Sequence, residues 1–450
     1  MKQKLSFSAY IFVGSMLFGL FFGAGNLIFP VHLGQEAGNH VLPASIGFIL
    51  TSTGLPLLGT LAIGISGSGG LLGLAGRVGQ KWGYFFTILL YMTIGPLFAL
   101  PRTATVPYEV GFSLYLPEQW VRPGLLIFTI VFFGVALFFA FYPGKLLLWV
   151  GKVLNPFFLF LIGILIIASI VLPMGDISTA AVYKPYSGNA FFKGFTEGYN
   201  TMDALASLAF GILVVDALKN LGVEQPKEIT KSMAKAGLVS ALLMAVIYGC
   251  LSYMGASSMG TLALSKNGGI ALAQIAKHYF GSSGTILLAI LVTIACLKTA
   301  IGLITACANV FVEMFPNSLS YRVYVILFTI MGAFIANIGL TQIIKLSMPI
   351  LMFLYPLAMV LILLSLFAHL WDNSRIIYLT TIVATTIFSI GDALNAMPDG
   401  IRNITPVQAL LGLYEKMPFF QLGMAWVIPA VVGFLIGLVI HIQKKEKKLT

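Results

Sequence analysis

The sequence predicts an all-α polytopic membrane protein, and three observations carry that prediction. Only 9% of the 450 residues are charged and 58% are hydrophobic, whereas ordinary soluble chains carry about 25% charge. The mean hydropathy is +0.97. Apolar stretches long enough for the ~20 residues that cross a bilayer recur along the whole chain, and no soluble domain separates them. The chain therefore reads as one integral membrane domain, residues 1–450.

Twelve spans are predicted, in order 6–30, 39–65, 83–106, 122–142, 149–172, 195–217, 232–255, 284–314, 321–337, 341–368, 375–396 and 421–442. The first follows a short basic segment, as a signal peptide would. It is too long for an h-region and has no A-x-A exit, so it reads as a span. The second and third are joined by the Gly-rich stretch from Ser66 to Gly79. That stretch has no preceding strand and no Gly-Lys-Ser/Thr ending, which excludes a phosphate cradle and leaves a flexible or re-entrant connector. The eighth includes a helical extension into water. Connections at 173–194, 256–283 and 397–420 are long enough for short surface helices.

The net charge of +11 raises the question of a nucleic-acid partner, which its distribution answers. No Lys/Arg block is interleaved with aromatics. The dense run is the tail, Lys444, Lys445, Lys447 and Lys448, which suits anionic lipid headgroups. Lys2, Lys4, Arg77, Lys81, Lys145, Lys152, Lys219, Lys227, Lys231, Lys235, Arg322, Arg375 and the tail lysines fall on the side shared by both termini. Arg102, Arg122, Lys184, Lys193, Lys266, Lys277, Arg402 and Lys416 fall on the other. This two-to-one bias predicts cytoplasmic termini. Cys250, Cys296 and Cys307 sit in apolar segments without metal-ligand spacing, and His32, His40, His278, His369 and His441 are scattered. Neither set forms a metal site or a proton relay.

Two spans interrupt themselves. The first contains Gly23-Ala24-Gly25-Asn26-Leu27-Ile28-Phe29-Pro30, a good place to unwind a helix. A half-helix starting there would aim free N–H groups at the membrane centre, a ready site for a carboxylate. Close helix packing by small residues is the plainer explanation of the glycines. The sixth span carries Glu197-Gly198-Tyr199-Asn200-Thr201-Met202-Asp203 ahead of an unbroken apolar run. Breaks at matched positions in two halves are the mark of inverted-repeat transporters.

The string Gly23-Ala24-Gly25-Asn26 with Phe29-Pro30 is similar to the first-helix signature of LeuT-type sodium symporters. The run from Glu197 to Leu205 and the run from Thr299 to Ala308 resemble the bacterial BrnQ-type branched-chain amino-acid carriers, and the likeness extends over nearly the whole chain. The resemblance implies a LeuT-like 5+5 inverted repeat, spans 1–5 in 1–172 and spans 6–10 in 195–368, with two extra helices in 375–442. It implies a secondary transporter, not an enzyme, in a bacterial plasma membrane. Leucine, isoleucine and valine would enter by symport with H⁺ or Na⁺ and alternating access, with no other cofactor. The partners are the amino acid and membrane lipid, and oligomeric state stays open. The implied substrate site comprises Phe22, Gly23, Ala24, Gly25, Asn26, Met92, Tyr199, Met202, Asp203, Leu205 and Ala206. Tyr91 and Ile94 lie nearby, and the apolar set suits an aliphatic side chain, though many membrane helices have such faces. The implied cation site comprises Gly19, Phe22, Ala295, Lys298 and Thr299.

Ionisable groups in mid-membrane are costly, so each needs a reason. The related carriers place two vicinal hydroxyls where this chain has Lys298-Thr299. An ammonium is a fixed surrogate for a sodium ion, so Lys298 replaces that sodium and makes coupling protonic, or else forms a structural ion pair or snorkels. Sodium-coupled symport of the same substrates is the alternative. Asp203 is a counter-ion for the substrate ammonium, part of a second cation site, a partner of Lys298, or a helix cap. Glu197 reads as an outer gate or a solvated residue, Lys345 as an interfacial one, and Glu36, Asp216 and Asp392 as span-end groups. A membrane-embedded enzyme lacks its motifs here: no H-E-x-x-H, catalytic carboxylate pair or G-x-S-x-G occurs. A channel lacks charge rings and a repeated filter.

Overall fold

The computed structural model describes residues 6–113, 115–141 and 155–449, and those residues form helices and turns with no strand among them. Lys2, Lys4, Lys145, Lys152 and the start of the predicted 149–172 span lie outside the described residues. Among the described residues, eight helices are long and apolar enough to cross a membrane, nine when one bent pair counts as a single span, and three shorter apolar helices accompany them.

The predicted first span is two helices. Helix α1 (Phe7–Phe21) begins at Ser6, whose side chain accepts from the Ala9 N–H, and α2 (Ala24–Ala37) follows after two extended residues. The break is chemical. Asn26 Oδ1 accepts from the Gly23 N–H at 2.9 Å, so a side chain takes a backbone donor that a continuous helix would need. Helix α2 runs beyond the predicted boundary, through Pro30, to Ala37. Pro30 has no N–H, so it leaves the Asn26 carbonyl without its helical donor.

Helices α3 (Val41–Ile49) and α4 (Leu55–Ser66) join through one π turn at Leu50–Gly54. The Gly-rich connector is ordered: it forms the short helix α5 (Leu71–Ala75), and Arg77 ties it down by donating to the Ser66 carbonyl at 2.8 Å. The third span, α6 (Gln80–Met92) and α7 (Ala99–Gly111), contains a break that hydropathy did not signal. Gly95 leaves the helical region (φ −92°, ψ −125°) ahead of Pro96, the usual cause of a sharp kink.

Helices α8 (Glu118–Ala140) and α9 (Asn155–Val171) precede a loop carrying the short α10 (Lys184–Ser187). The sixth span is broken as expected. Helix α11 (Ala190–Glu197) passes through a 3₁₀ turn at Gly198–Thr201, and α12 (Asp203–Asn220) leaves at 46°. Met202 turns the corner with φ 61°.

Helix α13 (Pro226–Ser258) is unbroken, and α14 (Gly268–Met314) kinks at Gly281, where φ 61° favours glycine. The portion before the kink falls in the 256–283 connection, where a short surface helix is expected, and not in the 284–314 stretch. Helices α15 (Tyr321–Ala336), α16 (Leu340–Leu366), α17 (Arg375–Asn395) and α20 (Val427–Leu449) complete the bundle. Short helices α18 (Asp399–Arg402) and α19 (Thr405–Tyr414) occupy the 397–420 connection. In the tail, Lys445 donates to Asp372 at 3.0 Å, which holds that carboxyl below its ordinary range.

Two close approaches hold the broken helices in place. A Cβ on Gly34 would lie 2.0 Å from the Ser252 carbonyl oxygen, and one on Gly255 2.0 Å from that of Val31, so α2 and α13 touch backbone to backbone. Gly47 and Gly194 do the same for α3 and α11. Lipid has no hydrophobic drive to press helices together, so small residues that let backbones approach supply the packing. Large apolar side chains such as Phe334, Val246 and Ile130 remain exposed on the outer surface, as lipid-facing residues do.

Candidate functional site

The two predicted breaks meet. Asn26 Nδ2 donates to Asp203 Oδ2 at 2.6 Å and also to the Tyr248 hydroxyl, and that hydroxyl donates to the same Asp203 oxygen at 3.2 Å. All three residues are buried. Asn26 thus caps its own break with its carbonyl oxygen and holds the start of α12 with its amide nitrogen. Asp203 also donates its own N–H to Thr201 Oγ1 at 3.4 Å. Its carboxylate is held by the Asn26 amide and the Tyr248 hydroxyl.

Beside this junction lies a cavity of about 60 Å³. Of the predicted substrate residues, Gly23, Ala24, Gly25, Asn26, Met202, Asp203 and Ala206 line it, joined by Ile94 and Thr299. Phe22, Met92, Tyr199 and Leu205 lie outside its lining. Leu205 is fully buried in the core, and Tyr199 stacks on Tyr355 with ring centroids 4.2 Å apart. Phe22 and Ala295 border a separate, smaller void with Phe18, Leu27 and Cys296.

The cavity is electrostatically divided. On one side, α2 begins, and its first-turn N–H groups have no intrahelical acceptor. The Gly23 N–H is taken by Asn26, which leaves Ala24 and Gly25 as the donors nearest the break. On the other side, α1 ends, where carbonyl oxygens are left over. Lys298 donates through Nζ to one of them, Gly19, at 3.1 Å, bringing α14 against α1. Thr299 bonds back to the Ala295 carbonyl at 3.2 Å while its side chain borders the cavity.

Arg102 corrects the sequence reading. It was expected in an outer connection, but it lies in α7 and is only 3% exposed, on the cavity wall. Nη1 donates to the Asn200 carbonyl at 2.7 Å and Nη2 to Ser347 Oγ at 2.5 Å. The guanidinium lies 5.2 Å from the centroid of the Phe29 ring. Its signal was present, since the predicted 83–106 span already contains it, and the rule that retained Lys298 applies to it equally. Tyr248 and Thr103 were also missed, because nothing in their local sequence departs from an ordinary apolar helix.

Glu197 is not solvated. Lys193 donates to it at 2.8 Å within α11, and Asn200 Nδ2 donates to its other oxygen at 3.0 Å. Asp392, expected near a span end, is buried and accepts from the Ala425 N–H at 3.3 Å, capping the approach to α20. Lys345 and Asp216 are exposed. The cysteines are free thiols, and no cluster of three or more His, Cys, Asp or Glu forms among the described residues.

Residues 6–444 match the family model described as branched-chain amino acid transport protein. The branched-chain amino acid permease BrnQ of Lactobacillus delbrueckii subsp. lactis is 44% identical over 449 residues, covering 99% of this chain and 100% of the relative. The permease of the same name from Bacillus subtilis is 42% identical over 446 residues, with 99% and 100% covered. Among solved structures, Mhp1, a nucleobase-cation-symport-1 family transporter in a closed conformation, superposes with a TM-score of 0.60 at 14% identity, covering 98% of this chain and 93% of its own. MhsT in complex with L-phenylalanine gives 0.55 at 16% identity, covering 98% and 99%. At these identities the structural likeness concerns the fold alone, that of LeuT-type transporters. The chain belongs to the branched-chain amino acid transport protein family.

Proposed function

We propose that the chain imports leucine, isoleucine and valine across a bacterial plasma membrane by cation-coupled symport with alternating access. The observation that carries this reading is the junction of two helix breaks, 177 residues apart in sequence, fastened by the Asn26–Asp203 bond beside a buried cavity. In this reading twelve spans form two inverted five-helix halves, 1–172 and 195–368, followed by 375–442, with both termini cytoplasmic.

The substrate carboxylate binds the N–H groups of Ala24 and Gly25. Its ammonium faces Asp203 and the carbonyls at the break, and its side chain meets Ile94, Met202 and Ala206. Alternating access requires the helix halves on either side of this junction to part in turn, exposing the cavity first to one face of the membrane and then to the other. Pocket contacts of this kind separate leucine from valine weakly, since one methylene is worth only ~1–3 kcal/mol.

Lys298 carries the coupling. Its ammonium donates to the Gly19 carbonyl between α14 and α1, which supports the reading that it stands in for the sodium ion implied there by the resemblance to LeuT-type symporters. Gain and loss of a proton there replaces gain and loss of the ion. Leucine uptake into proteoliposomes under separate Na⁺ and pH gradients tests this. Uptake unaffected by Na⁺, abolished by a protonophore, and rendered Na⁺-dependent by Lys298→Thr is the expected result. Strict Na⁺ dependence of the unmodified protein would show sodium-coupled symport instead.

A further inference from the structure

Arg102 is a buried cation whose direct hydrogen-bond partners are neutral, while the Glu197 carboxylate acts on it from beyond Asn200. Nη1 and Nη2 are satisfied by the Asn200 carbonyl and the Ser347 hydroxyl, and Nε has no hydrogen-bond partner. Among the described residues, no carboxylate oxygen lies within 4.0 Å of it. The one acidic side chain on the cavity wall, Asp203, is engaged by Asn26 and Tyr248. Burying a charge without a directly bonded counter-charge is costly, and such a group is kept where something repays the cost.

Its position says what repays it. A Cβ on Gly25 would lie 3.0 Å from the Phe29 ring and 3.7 Å from the Asn200 carbonyl oxygen. Arg102 bonds that oxygen and lies over that ring. The guanidinium is therefore next to the first turn of α2, and both border the same cavity. A formal positive charge and the positive end of a helix would repel if nothing negative came between them. Their convergence is the arrangement that recognises an anion.

We propose that Arg102 is a side-chain anchor for the α-carboxylate of the transported amino acid, acting beside the Ala24 and Gly25 N–H groups. The proposal rests on the substrate reading given above and deepens it. A guanidinium fork pairs bidentately with a planar, charged carboxylate, whereas a neutral amide offers it a single oxygen acceptor and no charge. Free amino acids therefore bind more tightly than the corresponding amides. Engaging the carboxylate also draws on the nitrogens that hold Asn200 and Ser347, so occupancy of the site is felt at the span-six break and at α16.

The test is ligand-induced thermal stabilisation of the purified full chain in detergent, titrated with L-leucine and with L-leucinamide. The unmodified protein should prefer leucine strongly. Arg102→Gln should weaken leucine roughly 10- to 100-fold, the range for a lost hydrogen bond to a charged group, and change leucinamide less than threefold. Ser347→Ala, which removes a neighbour of the guanidinium but not the guanidinium itself, should keep the preference. A preference undiminished in Arg102→Gln, or leucine and leucinamide weakened alike, would overturn the proposal and leave Arg102 a latch between helices. If Arg102→Gln does not fold, Arg102→Lys takes its place: leucine weakened about tenfold with leucinamide unchanged supports the anchor, and equal weakening overturns it. Absence of leucine binding to the unmodified protein would refute the substrate reading itself, a different result from loss of discrimination.

Discussion

Asn26→Ala is the substitution that most directly breaks the junction between the two halves. It removes a 2.6 Å bond to Asp203, a bond to the Tyr248 hydroxyl, and the 2.9 Å cap on the Gly23 N–H. Loss of a donor to a buried polar group costs about 1–3 kcal/mol, and loss of a helix-terminal cap about 1 kcal/mol. The variant should therefore be destabilised by about 2–4 kcal/mol. Thermal unfolding in detergent measures the loss, and leucine uptake should fall with it, because α2 and α12 no longer hold a common position. Tyr248→Phe removes only the hydroxyl shared by Asn26 and Asp203 and should cost less. The double variant should cost less than the sum of the singles, as groups within one network couple by 0.5–3 kcal/mol. Full stability and full uptake in Asn26→Ala would refute the claim that this amide fastens the two breaks.

Three other substitutions probe separate links. Gly255→Ala places a methyl 2.0 Å from the Val31 carbonyl oxygen and should destabilise by about 1–3 kcal/mol, with reduced yield of folded protein in size-exclusion chromatography. Met202→Ile puts a β-branched residue at φ 61°, where such residues are rare, and should cost about 1–2 kcal/mol by thermal unfolding and lower uptake. Tyr199→Phe removes a buried hydroxyl that has no hydrogen-bond partner and keeps the stack on Tyr355. Its melting temperature should be unchanged or raised, with normal leucine uptake.

How much was legible in sequence depended on distance along the chain. The breaks at Gly23–Asn26 and Gly198–Asp203 were readable because glycine and polar residues inside apolar runs are local exceptions. The Asn26–Asp203 bond was not readable, since nothing local tells an Asn which of many distant carboxylates it meets. Asp203 could be narrowed only to a set of roles, and folding selected its neighbours. Arg102 shows a different failure. Hydropathy averages a span, so one arginine near its end is easily assigned to the loop, although the chain buries it. The break at Gly95-Pro96 was present in the letters but not in the average. Tyr199 and Leu205 fell on the expected helix, but which face meets the cavity depends on the turn at Met202, whose positive φ no residue type announces.

The central claim, that the junction of the two breaks is a carrier site for branched-chain amino acids, is tested most directly by counterflow. Proteoliposomes preloaded with unlabelled leucine should accumulate external radiolabelled leucine transiently and saturably, with isoleucine and valine competing, and Asn26→Ala should abolish the accumulation. No accumulation above protein-free liposomes, or a flux that does not saturate, would contradict the account.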